Sequence, residues 1–363
     1  MASSGTPGSA GEATRAAPAA VTTGPDVGEP PVPGTDAAPV PARPEVGAAE
    51  VRPGPPRPRR LSHWQRLRRD RFLLLLSVPG VALVLLFQYV PLLGNVIAFK
   101  DYQPYLTIWE SPWVGFQNFD VIFNGDPAFL NALKNTLIIS FLQIVVVFPV
   151  PIALALLLNS LLSERIKRVV QSILYLPHFM SWVIIVALFQ HMLGNAGIYN
   201  NWARQHGFPL LNIIGDPDLF FTLITSQVIW KDAGWGTIIF LAAISRVDLE
   251  LYEAVAVDGG GRLRQLWHVT LPAIRSVIVL LLILKLGDVL SVGFEQIILQ
   301  QGPVGLERSE VLDTYVYNYG IVGGNWGVSA AVGLVKGLIG AILVLGANKV
   351  AHLFGERGIY AKW

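Results

Sequence analysis

Beyond Arg71 the chain is a succession of long apolar runs separated by short polar stretches. About six runs can cross ~30 Å of hydrocarbon: Phe72–Phe99, Leu137–Leu162, Val169–Leu193, Leu219–Ile244, Val277–Leu299 and Val328–Leu353. No strand-like alternation persists over such lengths, so the spanning elements are expected to be helices. Pro79, Pro91, Pro149, Pro151 and Pro177 fall inside or at the rims of these runs, where neighbouring helices can re-satisfy the freed carbonyls. Between the fourth and fifth runs, Glu253 to Pro272 reads EAVAVDGGGRLRQLWHVTLP. Asp248 can cap a helix beginning near Leu249. Gly259, Gly260 and Gly261 permit positive φ and a reversal. Arg262 to Thr270 then predicts a second short helix, with Leu263, Leu266 and Trp267 on one face. Pro272 opens the next span, where a missing N–H is harmless.

Composition agrees with an all-α membrane protein. Apolar residues make up about half of the chain and charged ones about a seventh, below the usual quarter. Residues 1–60 are rich in Ala, Pro and Gly and nearly lack large apolar side chains. They cannot offset their ordering entropy by burial, so a disordered tail without a cleavable signal is expected, followed by a membrane domain over 61–363. Cysteine is absent, which excludes disulfides, thiolate metal sites and a Cys nucleophile. No basic block with interleaved aromatics points to nucleic acid.

The charges are segregated. Arg57, Arg59, Arg60, Arg66, Arg68, Arg69 and Arg71 precede the first run, and Arg165, Lys167 and Arg168 sit between the second and third. Arg246, Arg262 and Arg264 flank the glycine hairpin, and Lys349, Arg357 and Lys362 lie at the carboxyl end. The alternate loops hold few cations: Lys100, Lys134, Arg204 and Arg308. The positive-inside rule then places both termini and the hairpin in the cytoplasm. Trp109, Trp113, Phe116, Phe119 and Trp202 on the other side are expected to be interfacial anchors or a docking surface. The loop Gly302–Trp326, with Asp313, Tyr315, Tyr317 and Asn318, is read either as such a docking surface or as a solvated connection.

Charges at membrane depth are costly and normally face a cavity or each other. Lys231 and Asp232 fall near the middle of the fourth run, with Trp230 and Trp235 beside them. Lys285 and Asp288 fall in the fifth, one turn apart on one helical face, and Ser291 and Glu295 continue along that side. Either these groups neutralise each other inside the bundle, or they line a path whose polar groups bind sugar hydroxyls. His178 and His191 lack metal-ligand partners and are read as packing or interface residues. No phosphate loop, no dinucleotide fingerprint and no serine with a paired base occurs, so the chain is not expected to be an enzyme.

The hairpin resembles the EAA loop of ABC importer permeases, which reads Glu-Ala-Ala, three residues, Gly, nine residues, Ile-x-Leu-Pro. Glu253, Ala254, Gly259, Leu271 and Pro272 match at those spacings, and Asp258 is typical; Val255 and Val269 are mild departures. From about Trp64 onward the chain is similar to polysaccharide-type sugar permeases of the carbohydrate-uptake branch. The stretches IAFKDYQPY, SPWVGFQNF, YLPHFMSWVI, IWKDAGWGTIIFLAAI, LSVGFEQIILQ and DTYVYNYG carry that similarity. The long tail departs from the family's usual short amino terminus.

The resemblance implies a six-helix, type I ABC importer permease fold in a bacterial plasma membrane. It implies a second permease subunit, a cytoplasmic ABC ATPase dimer holding the ATP and Mg, an extracellular sugar-binding lipoprotein and an oligosaccharide substrate. Glu253, Ala254, Asp258, Gly259, Leu271 and Pro272 would couple to the ATPase. Lys231, Trp235 and Glu295 gain weight as path residues beside Lys285 and Asp288. An ion-coupled secondary transporter, which gives no reason for the hairpin, and a non-transporting scaffold or sensor, which would dock the ATPase without moving substrate, are the other classes.

Overall fold

The computed structural model describes residues 70–161, 163–356 and 358–360. The predicted tail at 1–60 and the basic residues Arg57 to Arg69, Arg357 and Lys362 lie outside the described residues. Helices dominate; among the described residues the β-structure is one isolated bridge between Lys100 and Trp113.

The first run forms α1 (Arg71–Val84), a wide turn at Leu85–Tyr89 and a tight turn at Gly94–Phe99. After a loop come α2 (Pro127–Leu142), a wide turn at Gln143–Val147 and α3 (Pro149–Asn159). The third run is α4 (Glu164–Tyr175) and α5 (Trp182–Leu193), followed by α6 (Ile198–His206). The fourth is α7 (Phe220–Ile244). The hairpin is α8 (Leu249–Val257) and α9 (Arg262–Gln265), leading through Leu266–Thr270 into α10 (Leu271–Gly287). Then follow α11 (Phe294–Ile298), α12 (Leu312–Tyr315) and α13 (Trp326–Leu353).

Three spans treat proline alike. The wide turns at Leu85–Tyr89, Gln143–Val147 and Leu266–Thr270 each end two residues before a proline: Pro91, Pro149 and Pro272. In each, the amide just before the proline reaches back five residues, as Phe148 N–H does to Gln143 O at 2.9 Å. A proline ring crowds the carbonyl four residues behind it. Opening the preceding turn to i→i+5 bonding accommodates the ring without ending the helix. Pro272 therefore does not separate the second hairpin helix from the next span: helix runs from Arg262 to Gly287.

Five helical stretches among the described residues are long and apolar enough to cross a membrane: Arg71–Phe99, Pro127–Asn159, Trp182–His206, Arg262–Gly287 and Trp326–Leu353. With 25 residues, α7 has the length but not the apolarity, because it carries Gln227, Lys231 and Asp232. More of its residues are buried than in any other helix. It packs with α3 and α10 around Ala155, Phe240, Ile244 and Ile274 at the hairpin end. Toward the opposite end it shares a core with α2 and the α11 region through Ile139, Phe220, Ile224, Val292 and Ile297.

Gln227, Gln296 and Gln300 are buried together and bond one another. Gln227 Oε1 accepts from Gln296 Nε2 at 2.7 Å and Gln300 Nε2 at 3.0 Å, while Gln227 Nε2 donates to Gln300 Oε1 at 3.1 Å. The cluster fastens α11 to α7. Leucine at Gln227 removes the donor to Gln300 Oε1, and an orphaned buried acceptor costs about 1–3 kcal/mol. The apparent melting temperature of the detergent-purified subunit is expected to fall by a few degrees for Q227L, measured by thermal unfolding.

Candidate functional site: a hairpin at one end and two helix breaks at mid-bundle

The hairpin is held from within and bare outside. Asp248 caps α8 by accepting from Glu250 N–H at 3.1 Å. The helix ends in paired reverse bonds, Gly260 N–H to Val255 O at 2.8 Å and Gly259 N–H to Ala256 O at 3.0 Å, with Gly259 at φ +72°. This is the left-handed glycine stop. Gly260 and Gly261 do not use positive φ; Gly260 is instead the close-approach position, since a Cβ there would lie 2.4 Å from Val255 Cγ1. Two struts join the arms: Tyr252 OH with Thr270 Oγ1 at 3.1 Å, and Gln265 Nε2 donating to Tyr252 O at 3.3 Å.

Glu253, Ala254, Asp258, Gly259 and Pro272 are exposed, and Leu271 is half-buried. Val257, Leu263 and Trp267 stand 87%, 73% and 65% exposed. Exposed apolar side chains on both arms, together with the exposed carboxylates Glu253 and Asp258, are the composition of a protein-docking surface.

The expected third span is not one helix. After α4, Pro177 directs the chain into a tight turn at Leu176–Phe179, Met180 is extended, and Ser181 caps α5 by accepting from Ile184 N–H at 3.4 Å. The break leaves the carbonyls of His178 and Met180 without helical partners. Lys231 of α7 supplies them: its Nζ donates to His178 O at 2.9 Å and to Met180 O, and lies 5.4 Å from the Trp182 ring centroid. The neighbouring Asp232 carboxylate accepts from His178 Nδ1 at 2.9 Å. Trp235 stacks on the same imidazole, centroids 4.5 Å apart and planes within 5°. Gly234 completes the grip, since a Cβ there would sit 2.0 Å from Leu174 O.

A second break interrupts the expected fifth span. α10 stops at Gly287, the chain is non-helical from about Asp288, and Gly293 at φ +111° precedes α11. Here α2 and its wide turn cap the loose carbonyls: Ser140 Oγ donates to Val289 O, and Gln143 Nε2 to Val292 O at 3.0 Å. Non-helical backbone at membrane depth persists only where protein satisfies it or water reaches it.

These breaks revise two expectations. Lys285, Asp288, Ser291 and Glu295 do not share one helical face, because the helix ends at Gly287, between Lys285 and Asp288. Lys231 is buried and spent on backbone carbonyls, so its ammonium is turned into the first break. Trp235, Asp288 and Glu295 are exposed and Lys285 is half-buried. His178, read as a packing or interface residue, is the centre of the α7 grip; its bond to Asp232 spans 54 positions and has no local signal.

Beyond the breaks, Asn135 Nδ2 donates to Glu307 O and Glu310 O, both at 3.0 Å, tying the loop before α12 to α2. Burial raises the Glu310 carboxyl above its ordinary range, opposed by a bond from Asn318 Nδ2 at 3.3 Å. In the loop after the first run, the Lys100 ammonium donates to Ile108 O at 2.6 Å and Ser111 O at 3.3 Å, leaving Tyr105 and Trp109 more than four-fifths exposed.

A polytopic helical protein with an exposed, capped hairpin at one end and paired mid-bundle breaks is built as a transport subunit. Residues 146–355 match the family of binding-protein-dependent transport system inner membrane components, and the chain belongs to that family. It is a multi-pass membrane permease and a transport component rather than an enzyme. It is 49% identical over 296 residues to the polygalacturonan/rhamnogalacturonan transport system permease protein YteP of Bacillus subtilis, covering 81% of this chain and 92% of that one. The protein LplB of the same organism is 44% identical over 301 residues, covering 83% and 94%. Among solved structures, a bacterial ABC transporter involved in the import of the acidic polysaccharide alginate aligns at a TM-score of 0.74 and 35% identity. That alignment covers 81% of this chain and 99% of the other. The same kind of transporter, solved with its alginate pentasaccharide-bound periplasmic protein, aligns equally well.

Proposed function

We propose that this permease imports oligosaccharides derived from acidic polysaccharides, driven by ATP hydrolysis on a separate ATPase dimer. The observation that carries the ATP-driven reading is the hairpin: a rigid knob with exposed apolar side chains on both arms and exposed carboxylates, continuous with both α7 and α10. Residues 61–363 form the permease domain in this reading, and both termini and the hairpin are cytoplasmic. Glu253, Ala254, Asp258, Gly259, Leu271 and Pro272 contact the ATPase, which holds the ATP and Mg. A second permease closes the path, because Trp235, Lys285, Asp288 and Glu295 open onto the surface of the single chain. An extracellular sugar-binding lipoprotein delivers the substrate to the opposite face, where Tyr105 and Trp109 are presented.

The acidic class is supported by the cargo in two relatives' names, polygalacturonan/rhamnogalacturonan and alginate. Lys285, a basic residue in the last turn of α10, lies beside the second break. The test is uptake by vesicles holding both permeases, the ATPase and the binding protein. ATP-dependent entry of labelled galacturonate oligosaccharides is expected, with weak competition from neutral oligosaccharides of equal length. Uptake driven by an ion gradient without the ATPase would instead establish a secondary transporter, and ATPase docking without uptake a scaffold.

A further inference from the structure

The four-residue grip of α7 on the first break lies far from the hairpin yet on the same helix. From Lys231 to Ile244 the helix rises roughly 20 Å at 1.5 Å per residue. Its end is joined to α8 by Ser245, Arg246 and Val247, all in bonded turns: Ser245 N–H to Leu241 O at 2.9 Å, Arg246 N–H to Ala243 O at 3.2 Å and Val247 N–H to Ile244 O at 3.0 Å. No slack segment separates the hairpin from α7. At the far end, His178 is engaged on ring edge and ring face by Asp232 and Trp235, while Lys231 holds the backbone on both sides of Phe179. The break between α4 and α5 is a natural hinge, since Met180 leaves helical geometry and neither helix continues through it.

We propose that His178 and Asp232 are positioning residues that lock this hinge to α7, so that a displacement of the hairpin reaches mid-membrane as a movement of the α4–α5 break. The inference rests on the ATP-driven reading above and adds the route by which the stroke arrives. Lys231 and Trp235 hold backbone and ring; the His178–Asp232 bond fixes the rotation of the imidazole on which Trp235 stacks. An ionised carboxylate only accepts, so the imidazole donates from Nδ1. Asparagine at position 232 keeps an acceptor oxygen; alanine keeps none.

The experiment uses the full transporter in vesicles and reads sugar imported per ATP hydrolysed. For His178→Ala and Asp232→Ala this ratio is expected to fall roughly tenfold, within the range of coupling between distant sites. For Asp232→Asn it is expected to recover most of the wild-type value. A purely structural role would lower the amount of assembled transporter and reduce uptake and hydrolysis together, leaving the ratio unchanged; that result overturns the proposal. So does an Asp232→Asn ratio as low as that of Asp232→Ala. Absence of ATP-dependent uptake by the wild-type vesicles would remove the import reading itself, and this inference with it.

Discussion

Valine at Gly259 is expected to leave the permease in the membrane while abolishing ATP-driven uptake. Gly259 sits at φ +72°, where an L side chain costs about 1–2 kcal/mol and a branched Cβ more. Space is not the obstacle, since nothing lies within 4 Å of a Cβ built there. The cost is backbone strain, relieved by undoing the Gly260–Val255 and Gly259–Ala256 bonds that end α8. Those bonds set the angle between the arms, so relaxing them displaces Glu253 and Val257 relative to Leu263 and Trp267. The subunit core at Phe240 and Ile274 is untouched, which is why membrane insertion survives. Gly261→Ala is the control: its φ is −74° and its surroundings are open, so uptake should match wild type. Vesicle uptake and co-purification of the ATPase measure both; normal uptake by Gly259→Val would sink the coupling role of the hairpin.

The second large effect is expected at Gly234, and it concerns folding. A Cβ there would lie 2.0 Å from Leu174 O and 2.5 Å from its carbonyl carbon. These are backbone atoms of α4, which cannot turn aside as a side chain can. Valine must push α4 and α7 apart, and overpacking of this kind costs about 1–3 kcal/mol or more. Separation would also draw Lys231 from the carbonyls of His178 and Met180, leaving both unpaired in an apolar setting. Little or no monodisperse protein is expected on detergent extraction of Gly234→Val, read by size-exclusion chromatography. Gly346→Ala on α13, with no atom within 4 Å, should extract normally.

The hairpin was legible because its signals are local. Asp248 before a helix and a glycine at its end each act on neighbouring backbone. The spans were legible for the same reason, since hydropathy is a sum over adjacent residues. Both fail at the breaks. The stretch from Val169 to Leu193 carries no charged side chain and is mostly apolar, and hydropathy cannot distinguish a continuous helix from one interrupted at Pro177. Of the prolines within runs, Pro91 and Pro149 were absorbed by wide turns whereas Pro177 became a break. Lys231 at the right depth to satisfy His178 O and Met180 O accompanies that difference, and it belongs to a different helix.

By itself, the sequence determined that this protein is helical, that it crosses a membrane several times and that it carries a capped glycine hairpin between two spans. These follow from burial of apolar surface and from short-range backbone sterics, which need no partner distant in the chain. Only the tertiary structure decided where the spans come apart, that Lys231 serves the backbone, and that His178, Asp232 and Trp235 form one grip. Freed carbonyls must find donors wherever the fold brings them, and at the first break that donor is Lys231, which lies 53 positions from His178 and 51 from Met180 along the chain.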